Sequence, residues 1–135
     1  MEHTRAKISR VLINYFENDD QRIEHAFRVL YHSENVMKKY DGYDEEVVIA
    51  CALLHDIGIK ISEEKYGYNN GKTQEELGPD IAEELLLSIK FPPEKIEKIK
   101  EIIGNHHSPS RYDYPELEIL KEADKIVNVV EKVCF

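Results

Sequence analysis

Hydrophobic residues recur three and four positions apart along most of the chain, which is the spacing of one face of a helix. This spacing predicts a first helix from Thr4 to Phe16 and a long second helix that ends near Tyr40. Asp44 is a good N-cap for a third helix, which is expected to end near Gly58. A fourth helix is predicted to begin between Thr73 and Pro79, with its apolar stripe at 81–89, and two more stripes predict helices at 96–106 and 117–130. Strand alternation is nowhere sustained, so the pattern predicts an all-α bundle of five to seven helices.

Two stretches interrupt the helical pattern. Residues 59–72 carry charges, tyrosines, asparagines and glycines without an apolar period, and they are predicted to form a mobile loop. Long loops in compact domains are often functional. A second loop is expected at 108–115, where the chain contains Pro109 and Pro115.

Length, charge and cysteine content narrow the class of protein. The 135 residues suit a single domain spanning 1–135, and the net charge of −9 argues against binding of a nucleic acid polymer. A small phosphate-bearing substrate stays compatible with that charge, because a bound cation reverses the local field. The first residues lack an apolar signal core and no apolar run is long enough for a membrane span. Two cysteines, Cys51 and Cys134, make no disulfide framework, so a cytoplasmic location is expected.

Ionisable residues interrupt apolar helix faces at a few positions. His55 and Asp56 follow the apolar run 50–54, and Asp124 lies in the apolar stripe of the last helix. Buried charges are costly unless they are paired or bind a cation, so His55 and Asp56 suggest a metal site. For Asp124 alone, a salt bridge between helices is an equal alternative.

Three further histidines are candidates. His25 lies on the second helix beside its apolar face, where a satisfied core histidine is the alternative, and His32 on the same helix competes with it. His106 and His107 end the fifth predicted helix, where an imidazolium would also complement the helix dipole. Together these residues offer only nitrogen and oxygen ligands, which suit Mn, Fe, Co, Ni, Mg or Zn. Such a cation lowers the pKa of bound water, and hydrolysis of a phosphate ester or anhydride is the reaction class expected.

The order of these residues resembles the HD-domain superfamily of metal-dependent phosphohydrolases, whose signature is H…HD…D. The resemblance covers about residues 21–130 and rests on three segments of this chain: Arg22-Ile23-Glu24-His25-Ala26-Phe27-Arg28-Val29, Leu53-Leu54-His55-Asp56-Ile57-Gly58 and Glu122-Ala123-Asp124-Lys125-Ile126. It implies that His25, His55, Asp56 and Asp124 bind one divalent metal. Asp56 is also expected to orient or deprotonate the attacking water.

The same resemblance bears on a second metal. His106 and His107 are similar to a segment that makes extra metal or phosphate contacts in some members. Dinuclear members carry another histidine before a glycine on the helix after the loop. Here the stretch is Gln74-Glu75-Glu76-Leu77-Gly78, and Glu75 is predicted to stand in that place as a ligand or as a base. One metal is therefore expected, and a second is the alternative.

Cations near these motifs are candidates for binding the substrate phosphate. Arg28 lies one turn from His25, and Lys60 follows Gly58. Lys72 and Arg111 lie on predicted loops, where a solvated surface cation is the more ordinary interpretation.

The sequence thus predicts a cytoplasmic metal-dependent phosphohydrolase acting on a nucleotide or another small phosphate ester, with a homodimer as one possible assembly. Two alternatives stay open. One is an oxidative enzyme with a di-iron site on the same scaffold, held by His106, His107 and an acid such as Glu75. The other is a non-catalytic regulatory domain that binds a nucleotide.

Overall fold

A computed structural model describes residues 2–134, with only the backbone described for Cys134. This part of the chain forms seven α-helices and no strand, which confirms the predicted all-α fold. A single 3₁₀ turn, Met37–Lys39, follows the second helix. The helices are α1 (Thr4–Phe16), α2 (Asp20–Val36), α3 (Glu45–Leu54), α4 (Ile59–Tyr66), α5 (Gly71–Ser88), α6 (Pro93–Ile103) and α7 (Pro115–Cys134).

Helix α3 is the centre of the bundle. Asp44 caps it as predicted, since its carboxylate accepts hydrogen bonds from the backbone N–H groups of Glu46 and Val47. Every residue from 47 to 54 is buried, and the helix packs against α1, α2, α6 and α7. A helix that is apolar on all sides must lie in the interior, so the residues that follow it begin in the core.

Helices α2 and α7 pack along one another over much of their length. Asp19 caps α2 by accepting from the backbone N–H of Arg22. The buried stripes of the two helices include Val29 on α2 and Val127 on α7. This pairing carries His25 and Asp124 towards the end of α3.

Among residues 2–134, no helix is both long and apolar enough to cross a membrane.

The predicted third helix ends too late and the predicted loop at 59–72 is wrong. Helix α3 ends at Leu54, and residues 55–58 form a turn that leads into α4. Helix α4 has only Ile59 and Ser62 buried, so it shows almost no apolar period in the sequence. Gly67 ends it with φ of 79°, a conformation that glycine adopts without strain.

Helix α5 begins at Gly71, earlier than the sequence suggests. Asn70 and Thr73 form a capping box, in which each side chain accepts a backbone N–H of the other residue. Near the start of α4, the backbone of Gly58 passes so close to α5 that an added Cβ would lie 2.8 Å from the Gly78 nitrogen. The glycine in the motif at 55–58 is therefore required by helix packing.

Helix α6 ends at Ile103, although the apolar stripe predicts that His106 continues it. Residues 104–107 instead form a turn. Asn105 is fully buried there and stabilises the following loop, since its side chain donates to the Pro109 carbonyl and accepts from the Arg111 backbone N–H. This turn directs His106 inward, towards the end of α3, and leaves the exposed His107 beside it.

Candidate metal centre

Four predicted ligands meet where α2, α7 and the turn after α3 converge. The Nε2 atoms of His25 and His55 lie 3.3 Å apart, and each lies 3.3 Å from Asp56 Oδ2. Asp124 Oδ1 lies 3.4 Å from the first of these nitrogens and 3.5 Å from the second. The structure therefore brings together His25, His55, Asp56 and Asp124, which come from positions up to a hundred residues apart.

Backbone carbonyls set the orientation of two imidazoles. His55 Nδ1 donates to the Ala52 carbonyl at 2.7 Å, and His106 Nδ1 donates to the Ile103 carbonyl at 2.6 Å. A carbonyl can only accept, so Nδ1 carries a proton in both rings. Each Nε2 is then the atom that faces the cluster. This is the arrangement that a metal-binding histidine needs.

Glu131 sets the third imidazole and was missed by the sequence analysis. Its two carboxylate oxygens lie 2.9 and 3.0 Å from His25 Nδ1, and one of them also accepts from Arg28 Nη1 at 3.0 Å. Glu131 follows Asp124 by seven residues, so both lie on one face of α7. That spacing is the signal that could have identified it.

Two buried polar atoms of the cluster lack a hydrogen-bond partner in the part of the chain that the structure describes. Among residues 2–134, Asp124 Oδ1 and His106 Nε2 are buried and form no hydrogen bond. Two imidazole nitrogens face each other at 3.3 Å with carboxylate oxygens beside them. A divalent cation would offset the charge of the carboxylates and accept the imidazole lone pairs, and two imidazoles with two carboxylates form a donor set that suits it.

The charges of the cluster's side chains also favour a cation site. Burial opposes the charged form of His55, but the carboxylates of Asp56 and Asp124 outweigh it and hold its pKa well above the usual range. Burial likewise favours the neutral form of Asp56, but the neighbouring His55 and His106 hold its pKa well below the usual range. The carboxylates are therefore ionised at neutral pH, and protons compete with a cation for the imidazole nitrogens.

A second group of potential ligands shares Asp56. One ligand atom from each of Asp56, His106 and His107 lies within 4.8 Å of the others. His107 Nε2 donates to Gln74 Oε1 at 2.6 Å, which leaves its Nδ1 as the free acceptor. Burial and the neighbouring His106 lower the pKa of His107.

Glu75 lies away from this group, although it was predicted to be a ligand or a base. Its carboxylate accepts the His107 backbone N–H at 3.0 Å and the Ser108 hydroxyl at 2.7 Å, so it stabilises the turn after α6. Gln74 and not Glu75 lines the cavity at the cluster. The predicted segment 74–78 does reach the site, but the side chain that it presents there is the neutral amide of Gln74.

The predicted phosphate-binding cations lie in different places. Arg28 lines the cavity at the cluster, and its guanidinium bonds to Glu131 and to Glu24 at 2.9 Å. Lys60 lies against α1, with Nζ 3.3 Å from the Tyr15 carbonyl and 5.2 Å from the centre of the Tyr15 ring.

The cluster forms one wall of an open cavity of about 500 Å³. Gln21, Arg22, Gln74 and Asn128 are among the other residues that line it. A concave site of this size, with convergent polar groups, suits a small ligand.

Comparisons with known proteins agree with the fold. A crystal structure of a predicted HD superfamily hydrolase from an uncultured Thermotogales bacterium superposes with a TM-score of 0.71. The match covers 95% of this chain and 72% of that chain at 24% identity, so it is evidence for the fold alone.

One curated relative is an uncharacterized protein of Clostridium beijerinckii (strain ATCC 51743 / NCIMB 8052). It is 31% identical over 85 residues, which is 63% of this chain and half the length of that protein. The HD domain family matches residues 22–129, which include all four residues of the cluster. The chain therefore belongs to the HD domain family.

Proposed function

We propose that this protein is a metal-dependent phosphohydrolase acting on a nucleotide or another small phosphate ester. The observation that supports it most is the convergence of two imidazole Nε2 atoms and two carboxylates at one place. Asp124 Oδ1 and His106 Nε2 are buried there without a hydrogen-bond partner among the described residues. The cavity at the cluster gives a small substrate access to these groups. A cytoplasmic location and a homodimer stay predictions from the sequence.

The residues of the cluster have different roles in the proposed reaction. His25, His55, Asp56 and Asp124 would hold one divalent cation, which lowers the pKa of water and offsets negative charge on phosphoryl oxygens. Asp56 also accepts the proton that the attacking water loses. His106 Nε2, 3.9 Å from Asp56 Oδ1, faces the same space and would lie beside a phosphoryl group bound there. Water attacks phosphorus and gives up its proton to Asp56, the P–O bond to the leaving group breaks, and that proton passes to the leaving oxygen.

The di-iron alternative depends on the group formed by Asp56, His106 and His107. The contacts around that group favour a single metal, because Gln74 offers only a neutral amide and Glu75 already accepts two hydrogen bonds elsewhere. Two irons per chain without phosphatase activity would support the oxidative enzyme instead.

The test combines metal content with turnover. The purified protein is analysed by mass spectrometry for metals, then stripped and assayed with nucleoside mono-, di- and triphosphates in Mn, Co, Ni and Mg. We expect about one metal per chain and release of phosphate or pyrophosphate.

His25→Ala should lose the metal and at least about a hundred-fold in activity, since a first-row metal needs its full ligand set. His32→Ala is the matched control, because His32 lies on α2 and packs its ring against Tyr31, away from the cluster. Equal activity of the two variants, or no metal and no turnover under any condition, would overturn the proposal.

A further inference from the structure

A second cavity opens on the other side of Asp124. It measures about 510 Å³ and shares His107, Asp124 and Asn128 with the cavity at the cluster. Three lysines of α7 line it, Lys121, Lys125 and Lys132. The candidate metal centre therefore lies between an opening rich in carboxylates and an opening rich in lysines.

The sequence of α7 explains the lysine-lined wall. Lys121, Lys125, Asn128 and Lys132 follow one another at spacings of four, three and four residues, so they share one helix face. Lys125 directly follows Asp124 in the sequence. Lys132 lies about 10 Å further along the helix, a span that two lysine side chains can close around one small anion.

These lysines differ in how they are engaged. Lys121 Nζ donates to the Ser108 carbonyl at 2.6 Å and to the Ser110 hydroxyl at 2.7 Å, so it stabilises the neighbouring loop. Lys125 and Lys132 are exposed and form no ion pair or hydrogen bond with any group in residues 2–134. The side of the cavity that they line thus carries uncompensated positive charge, in a chain of net charge −9.

The arginines of the first cavity are engaged by carboxylates. Arg22 pairs with Asp19 at 3.2 Å and with Glu63 at 3.6 Å. Arg28 pairs with Glu131 and Glu24 on the same side of the site. The first cavity therefore has little positive charge to offer a phosphate group, and the lysine-lined cavity has more.

We infer that the lysine-lined cavity binds a second anionic group of the substrate while the reacting phosphoryl group lies at the metal centre. This inference rests on the proposed function and narrows it. The preferred substrates would carry two or more linked phosphates, as in nucleoside diphosphates, nucleoside triphosphates or short inorganic polyphosphates. Monophosphates would lack the group that Lys125 and Lys132 bind.

Binding is tested first, without reference to turnover. Inorganic tripolyphosphate is titrated by calorimetry into the protein and into the Lys125→Ala/Lys132→Ala variant, both in the same excess of Mg²⁺. Loss of two charged hydrogen-bond donors should weaken binding at least about ten-fold. Lys38→Ala is the matched control, because Lys38 is also exposed but lies outside the cavity, and it should bind as the parent does.

Turnover is tested second. With a nucleoside diphosphate the double variant should show a raised KM and a nearly unchanged kcat, whereas kinetics with the matching monophosphate should stay the same. Equal tripolyphosphate affinity in the double variant and in Lys38→Ala would overturn the inference, and so would an equal KM change for both nucleotides. If no phosphate ester is turned over but binding of tripolyphosphate still depends on the lysines, the proposed function fails and the anion site stands.

Discussion

At the scale of single residues, the candidate metal centre depends on which nitrogen of each imidazole carries a proton. The Ala52 carbonyl, the Ile103 carbonyl and the Glu131 carboxylate each accept from an Nδ1 atom, so three Nε2 atoms are directed at one small volume. The residue types could be predicted from the sequence. The partners of their Nδ1 atoms could not, because two are carbonyls in the last turns of α3 and α6, reached by imidazoles in the turns that follow, and the third lies on another helix.

Glu131→Gln tests the positioning role of this carboxylate. The amide keeps the size of the side chain but binds His25 Nδ1 less strongly, so we expect metal affinity to fall about ten- to a hundred-fold. Calorimetric titration with Mn²⁺ measures the affinity, and ¹⁵N chemical shifts of the imidazole report the tautomer of His25.

Glu24→Gln is the control for this change, because the Glu24 carboxylate pairs with the same Arg28, whereas the carboxylate bonded to His25 Nδ1 is that of Glu131. An equal loss of affinity in both variants would show that Glu131 acts only through Arg28.

Glu75→Gln distinguishes a catalytic base from a group that stabilises a turn. Because both oxygens of Glu75 accept hydrogen bonds from residues 107 and 108, we expect a loss of about 1 kcal/mol in the free energy of unfolding. Activity at saturating substrate should stay within about two-fold of the parent, since Glu75 is not among the residues that line either cavity at the cluster. Steady-state kinetics and chemical denaturation measure the two effects. A drop in kcat of a hundred-fold or more with unchanged stability would restore Glu75 as the base.

At the scale of helices, the close approach of α4 and α5 positions the site. An added Cβ on Gly58 would lie 2.8 Å from the Gly78 nitrogen and 3.1 Å from the Gln74 carbonyl, and both of these are backbone atoms. Backbone cannot move aside as a flexible side chain can, so the helices would have to separate. Gln74 and the turn at 55–58 would move with them.

Gly58→Ala should therefore lower the free energy of unfolding by about 1–3 kcal/mol and weaken metal binding as well. Chemical denaturation and metal titration measure the two effects.

Gly67→Ala is the comparison variant. Gly67 has positive φ but nothing within 4 Å of an added Cβ, so we expect a loss of about 1 kcal/mol and unchanged metal affinity. If the two variants behave alike, the contact between α4 and α5 does not position the metal centre.

Helix α4 shows why hydrophobic periodicity in the sequence does not predict every helix. An apolar period appears in a sequence only when a helix buries a continuous stripe, and α4 buries two residues. Helices α1 and α7 bury full stripes: α1 has the predicted bounds, and the interior of α7 was predicted.

At the scale of the whole molecule, the metal centre joins elements that are distant in sequence. Candidate ligands from α2, from the turn after α3 and from α7 meet where those helices converge. In the absence of a cation, Asp56 and Asp124 lie near one another and depend on protonated imidazoles for compensation. A bound divalent cation should therefore stabilise the folded chain.

We expect added Mn²⁺ at a hundred times its Kd to raise the free energy of unfolding by about 2.7 kcal/mol. For a domain of this size the midpoint of thermal unfolding should rise by about 10 °C. Differential scanning fluorimetry with and without chelator measures the shift, and His55→Ala should abolish it. A shift of the same size in that variant would place the stabilising metal elsewhere.

The sequence by itself determined the all-α fold, the place of most helices, the family signature and the residue types of the four candidate ligands at 25, 55, 56 and 124. It could do so because apolar stripes and caps are local properties, and polar residues inside such stripes are conspicuous. Only the tertiary structure decided that Glu131 orients His25, that Gln74 and not Glu75 faces the cluster, and that lysines of α7 line a second cavity. Those facts depend on how each helix is rotated and placed against its neighbours, which is determined by packing between distant segments and is not encoded in the period of any one helix.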